Sequence, residues 1–229
     1  MTGLRAAARS ATRRPVMKPY APKYRRESPE TRREGLVEAA IRCLARDGHE
    51  GVSVRRIATE AGVSVGLINH YYDSLDELIA HAYETLASGL VRKLLDRVET
   101  VPAEPRARLT AFFQASFSPL VLDPGLLGVW VVFWSMLKHS PAMQAAQQRT
   151  WGEYRAVLEE WLAAHAEQAG AGAANIRLAA IGLAALLDGC WLEWCLDPTS
   201  FSPDEGIALC ESWVDALAGG FPRLGDPPG

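Results

Sequence analysis

The chain has 229 residues, 48% of them hydrophobic and 22% charged, which is enough apolar content for one or two packed domains and excludes an intrinsically disordered protein. Its net charge of −3 hides an asymmetry: residues 1–75 carry 14 Lys/Arg against 8 Asp/Glu, and residues 76–229 carry 10 against 19. A basic N-terminal third on an acidic body points to one end that meets a polyanion.

Residues 1–27 read as a disordered basic arm: residues 1–26 hold eight basic residues, no acid and three prolines, a mixture that should not pack. Three readings of the arm stand: a segment that grips DNA phosphate or enters a minor groove, an organelle transit peptide, or a non-native extension from an upstream start codon. Ser28-Pro29 then opens a helix, as a cap followed by proline in the first turn. Leu36, Val37, Ala40, Ile41 and Leu44 form its buried stripe and Gly48 ends it. Ser53 caps a second helix with Val54, Ile57, Ala58 and Ala61 at helical spacing, and Gly62 follows where a left-handed residue is needed. Ser64 caps a third, running to about Tyr71. Two short helices on a tight turn have the build of a helix-turn-helix, whose second helix reads the DNA major groove. The alternatives are an ordinary helical hairpin in an all-α core, and a dimeric adaptor whose helix-turn-helix does not bind DNA.

Ser74 and Glu77 form a capping box for a long fourth helix, from about Leu75 to Glu99, ended by Pro102. The spacing predicts a fifth from Pro105 to Phe117, a sixth from Asp123-Pro124 to about Lys138, and a seventh from Ser140-Pro141 to about Gln168. Gly170 to Gly172 breaks the seventh. An eighth runs from Ala174 to Leu196, and a ninth, opened by Ser202-Pro203 with Glu205, ends at Gly219-Gly220. No period-two run predicts a strand, so the fold class is all-α, with about nine helices.

The four cysteines, Cys43, Cys190, Cys195 and Cys210, sit in apolar helical patterns without paired metal spacing, which predicts buried reduced thiols and a cytoplasmic protein. No apolar run is expected to reach the length of a membrane span, the nearest being Gly125 to Leu137. A phosphate-binding glycine loop, HExxH and GxSxG are all absent, so neither an enzyme nor a cofactor is expected. His81 with Glu84, and Cys190 with Cys195, are isolated pairs and poor metal sites.

Gly48, Ile57-Ala58, Ala61-Gly62-Val63-Ser64, Gly66, His70-Tyr71-Tyr72 and the Ser74 cap, in that order, resemble the DNA-binding domain of TetR-family transcriptional repressors over about residues 28–83. Two later fragments, GVWVVFW (128–134) and GLAALLDGCWLEW (182–194), resemble BetI-type regulators, the choline-responsive repressors of glycine-betaine synthesis. The resemblance implies a homodimer that binds a palindromic double-stranded DNA operator. Residues 28–74 would be the helix-turn-helix domain and 75–220 a ligand-binding and dimerisation domain, followed by a disordered tail at 221–229. Helices 174–196 and 203–219, long and rich in Ala and Leu, would pair with their symmetry mates.

For DNA contact the candidates are Ser53, Arg55, Ser64, Val65, Gly66, Asn69, His70 and Tyr71. Ser64 and Gly66 open the recognition helix, where backbone N–H groups suit phosphate and glycine allows close approach. Asn69 can pair with an adenine edge and Val65 can touch a thymine methyl. Arg55, on the polar side of its helix, can reach phosphate. By resemblance, His70 and Tyr71 would hydrogen-bond phosphates. One departure stands out: Leu75 occupies a position where the family commonly has a phosphate-binding Lys.

All seven tryptophans lie after residue 129. Trp130 and Trp134 share a helix face, as do Asp188 and Trp191. Trp rings with a carboxylate suit a quaternary ammonium, which cannot donate hydrogen bonds and must be held by ring quadrupoles and a nearby anion. The candidate effector pocket is Trp130, Trp134, Tyr154 and Trp191, with Asp188 as counter-charge. The alternatives are ordinary core packing, a dimer interface for Trp191 or Trp194, or a different effector: a hydrophobic drug, an acyl-CoA or a planar nitrogenous base.

Overall fold

The computed structural model describes residues 28–48, 50–170 and 175–218. The arm and tail expected at 1–27 and 221–229, and most of the break at 170–172, lie outside the described residues. Within them the chain is all-α: α1 (Pro29–Asp47), α2 (Val54–Ala61), α3 (Val65–Tyr71), α4 (Leu75–Val98), α5 (Pro105–Ser116), α6 (Pro124–Met136), α7 (Pro141–Gln168), α8 (Ile176–Leu196) and α9 (Pro203–Ala218).

The starts follow local chemistry. Ser28, Ser53, Ser64, Ser74 and Ser140 each accept a hydrogen bond from the backbone N–H three residues on, satisfying a donor the helix itself leaves unpaired. The Glu77 carboxylate accepts in turn from the N–H of Asp73 (2.8 Å), the residue just before the cap, in a variant of the capping box at the start of α4. Before α9 the bonds are fully reciprocal: the Ser202 N–H donates to the Glu205 carboxylate and the Glu205 N–H to the Ser202 hydroxyl oxygen. Gly62 closes α2 at φ 67°, ψ 32°, the left-handed geometry that turns the chain directly into α3. Glu104 is an unanticipated cap, accepting from the N–H groups of Arg106 and Ala107 at the head of α5.

Two hydrophobic clusters fill the interior. The first joins α1 (Leu36, Ala40, Leu44), α2 (Ile57), α3 (Ile68) and the first half of α4 (Leu78, Ile79, Tyr83) to Val129, Phe133 and Met136 of α6 and Met143 of α7. The second gathers the end of α4, α5, the far half of α7, α8 and α9 around Phe112, Phe113, Leu158 and Leu183. Helix α4, 24 residues and so about 36 Å long, runs through both, as does α7. Helices α1–α3 are therefore seated on the rest of the fold through α4 and α6. Ion pairs brace the seams: Arg42 and Arg46 with Glu60 (2.8 and 2.9 Å) and Arg56 with Asp47 (3.1 Å) hold α2 on α1. Arg149 with Glu84 (2.9 Å) ties α7 to α4.

Helix α8 corrects one expectation. By length and composition alone its 21 residues could cross a membrane. In the fold Ala180, Leu183 and Leu187 of α8 are buried in the second cluster.

Candidate DNA-reading face and effector cavity

Helices α2 and α3 present one polar surface. Ile57 and Ala58 of α2 and Ile68 of α3 point inward and are fully or almost fully buried. The opposite faces leave Ser53, Arg55, Ser64, Val65, Gly66, Asn69 and His70 exposed and Tyr71 half-buried. The eight DNA-contact candidates thus lie on the outer side of two adjacent helices. Ser53 and Ser64 use their hydroxyl oxygens as caps, and each O–H remains free to donate. Val65, 37% exposed, is one of few large apolar side chains left open to solvent among the described residues. The residue after α3, Tyr72, is buried, and its hydroxyl meets Nδ1 of His81 on α4 at 2.7 Å. Burial pushes that phenol up to about 12, so it stays neutral and fastens the end of α3 to α4. Leu75 is half-buried against the first cluster.

In the body, α4, α6, α7 and α8 surround a cavity of about 140 Å³. Trp130, Trp134, Tyr154, Asp188 and Trp191 all line it, so residues up to 61 positions apart in sequence converge on one space. The rings meet edge to face: Trp134 with Trp191 (6.2 Å, 86°), and Trp151 with Tyr154 (5.7 Å, 86°). Tyr83 and Trp130 do the same at 5.8 Å and 89°. Trp191 is oriented by its indole N–H, which donates to the carbonyl of Val121 (2.9 Å). Tyr83, Trp151, Thr150 and Phe117 also line the cavity and were not anticipated. Trp151 could have been found, since it lies three residues before Tyr154 on the same face of α7. Tyr83 carries no such signal, because only the crossing of α4 with α7 brings it there.

Asp188 is the one ionisable carboxyl in the lining, and no Lys, Arg or His accompanies it. Among the described residues nothing hydrogen-bonds or ion-pairs with its side chain. Burial pushes its carboxyl up to about 6. The phenol of Tyr154 is raised by burial and then by the Asp188 charge, so it stays protonated as a neutral donor. A desolvated, unpaired carboxylate among aromatic rings attracts a cation that brings little hydration of its own.

The cysteines are buried and free, as expected. No group of three or more potential metal ligands occurs among the described residues. His81 is engaged with Tyr72 and Glu84 with Arg149.

Comparison with known proteins agrees with both halves of this arrangement. Residues 36–82 match the TetR family of bacterial regulatory proteins, and residues 105–219 match the C-terminal domain of BetI-type transcriptional repressors. The HTH-type transcriptional regulator BetI of Paraburkholderia phymatum is 29% identical over 188 residues, covering 82% of this chain and 93% of its own. A crystal structure from Pseudomonas aeruginosa PAO1, assigned as a transcriptional regulator, is 47% identical with a TM-score of 0.81, covering 85% of this chain and 93% of that one. A regulator from Saccharomonospora viridis solved in complex with choline shares the fold at 20% identity and a TM-score of 0.68, over 81% of this chain and 96% of its own. With the helix-turn-helix matched at one end and most of the body at the other, this chain belongs to the TetR family of bacterial transcriptional regulators and carries a BetI-type C-terminal domain.

Proposed function

We propose that the protein is a repressor released from a palindromic operator by a small organic cation, choline or a related quaternary ammonium. The observation that carries the effector reading is Asp188, a half-buried carboxylate with no partner among the described residues in a ring-lined cavity. Size supports it: a cavity of about 140 Å³ matches the roughly 150 Å³ known to accept benzene, so it suits a ligand of about six to eight heavy atoms. An acyl-CoA is far larger and would need basic residues, which the lining lacks. The BetI relatives and the choline complex of the S. viridis protein point to the same ligand chemistry.

On this reading residues 28–74 are the DNA-reading unit and 75–220 the sensing and dimerising unit. Asn69 and Val65 read base edges. Ser53, Arg55, Ser64, Gly66, His70 and Tyr71 hold phosphates and set register. The dimer forms through 174–196 and 203–219, where Leu196 (65% exposed) and Leu209 (50%) leave apolar surface for a symmetry mate. The protein works in the cytoplasm and has no catalytic role.

Helix α6 supports a route from cavity to DNA. Trp130 and Trp134 face the cavity, while Val129 and Phe133 of the same helix are buried against α1 in the first cluster. A ligand that moves the two Trp rings moves the seat of the DNA-reading unit. Paired heads must sit one helical turn of DNA apart, about 34–36 Å, so a change in their separation releases the operator. The ligand acts only by binding the released state better.

The test is intrinsic Trp fluorescence of the full-length protein titrated with choline, betaine aldehyde and glycine betaine. Saturable quenching by choline, lost in a folded Trp191→Ala variant, is the expected result. No response to any of the three removes the quaternary-ammonium reading and leaves the family assignment standing.

A further inference from the structure

Apart from Arg32, the arginines on α1 and α2 fall into two sets. Arg42, Arg46 and Arg56 are engaged by Glu60 and Asp47. Arg33 and Arg55 have no ion pair among the described residues. Arg55 already belongs to the DNA-contact set; Arg33 does not, because it precedes the helix-turn-helix. Yet its guanidinium carbon lies 5.4 Å over the ring of Tyr71, at the C-terminal end of α3. Arg33 is exposed and Tyr71 half-buried, so the pair sits at the margin of the DNA-reading face. Glu30, one turn earlier on α1, is drawn first to its backbone N–H and to Ser28, with Arg33 a lesser influence.

The start of α4 is the reason the pair matters. Leu75 is half-buried against the first cluster and cannot donate a hydrogen bond. The next two residues are Asp76 and Glu77, and Asp73 precedes the cap. This edge therefore has no cation of its own and three acids that repel a phosphate.

We infer that Arg33 and Tyr71 form a composite phosphate clamp, in which α1 supplies the cation that the start of α4 lacks. The tyrosine hydroxyl donates to one phosphate oxygen, and the guanidinium, oriented by stacking on the ring, donates to the same group. The inference rests on the DNA-binding reading above.

The experiment measures the salt dependence of full-length protein binding to a duplex that the wild type enriches from a random-sequence pool. Anisotropy is followed between about 50 and 200 mM KCl. Loss of one phosphate contact reduces the slope of log K against log salt by about 0.9. Arg33→Gln is expected to show that loss and to weaken the enriched and a scrambled duplex by the same factor. Arg33→Lys, which keeps the charge, is expected to keep the slope. Arg56→Gln, whose cation is already held by Asp47, is expected to leave the slope unchanged. Leu75→Lys added to Arg33→Gln is expected to restore it. An unchanged slope in Arg33→Gln, or the same loss in Arg56→Gln, overturns the clamp while leaving DNA binding intact. Failure of the wild type to enrich any duplex overturns the DNA reading, and the clamp with it.

Discussion

Replacing Asp188 by Asn tests the effector site, because its effects on binding and on stability have opposite signs. The Asp188 carboxyl is raised from 3.8 to about 6 by burial alone. At 1.36 kcal/mol per unit, that shift corresponds to about 3 kcal/mol favouring the protonated form in the empty fold. A folded-state value above the unfolded one gives stability that is fully present below about pH 4 and lost as pH rises through about 6. Asp188→Asn should therefore stabilise the empty protein at pH 7.5 by up to about 3 kcal/mol, a rise of several degrees in melting temperature, and do little at pH 4. Cation binding should run the other way. Only the ionised carboxylate attracts the ligand, so wild-type Kd should be about tenfold weaker at pH 5 than its plateau above pH 7. Asp188→Asn should bind weakly at every pH and lose this dependence. Scanning fluorimetry at pH 4 and 7.5 and Trp titration with choline from pH 5 to 8 measure both. A wild-type Kd flat across that range, or an Asn variant that binds choline as well as wild type, would refute the counter-charge role.

Three further outcomes are expected. Asn69→Ala should cost about 1–3 kcal/mol of discrimination at one adenine position, read as relaxed preference there in duplex selection, with other positions unchanged. Gly206→Ala should destabilise by about 1–3 kcal/mol, because a methyl group there runs into the Phe117 ring; an unchanged melting temperature would show that the ring moves aside freely. Deleting residues 1–26, with their eight basic residues, should weaken operator binding and flatten its salt dependence. Equal slopes for the full-length and shortened proteins would sink the idea that the arm touches DNA.

Helix ends were legible because their causes are local. Ser28-Pro29, Asp123-Pro124, Ser140-Pro141 and Ser202-Pro203 each announce a start within a few residues, and the structure begins α1, α6, α7 and α9 there. The predicted eighth helix begins two residues later, behind the Asn175 cap. Within the cavity, Trp130 with Trp134 and Asp188 with Trp191 were visible as same-face pairs. Tyr83 and Phe117 were not, since they reach the cavity only through the crossing of α4, α5 and α7. Arg33 was missed for the same reason: its place over Tyr71 depends on how α1 packs across α3, which no spacing in the chain encodes. The Leu75 departure could be read directly, but where a replacement cation sits could not.

The empty cavity itself supplies part of the energy a switch requires. A ligand shifts an equilibrium between two arrangements only by its difference in affinity for them. Asp188 is unpaired among the described residues and desolvated in the ligand-free fold, so ionising it there costs up to about 3 kcal/mol. Coupling energies between sites are typically about 1–3 kcal/mol, so relief of this one group is of the right size to drive release. The relief becomes mechanical only if the cation draws the cavity walls to new positions. Trp134 is the wall best placed to do so. It meets Trp191 edge to face at 6.2 Å, and Trp191 is fixed by Val121. Phe133, the preceding residue on α6, is fully buried in the first cluster with Leu36 and Ala40 of α1. On the proposed reading, a cation seated between Asp188 and the two indoles would act on α6 from the fixed side of the cavity. α6 in turn carries α1 and, through Ile57 and Ile68 in the same cluster, the DNA-reading helices. The same partly desolvated charge that weakens the ligand-free fold would then be what makes the operator affinity sensitive to the ligand.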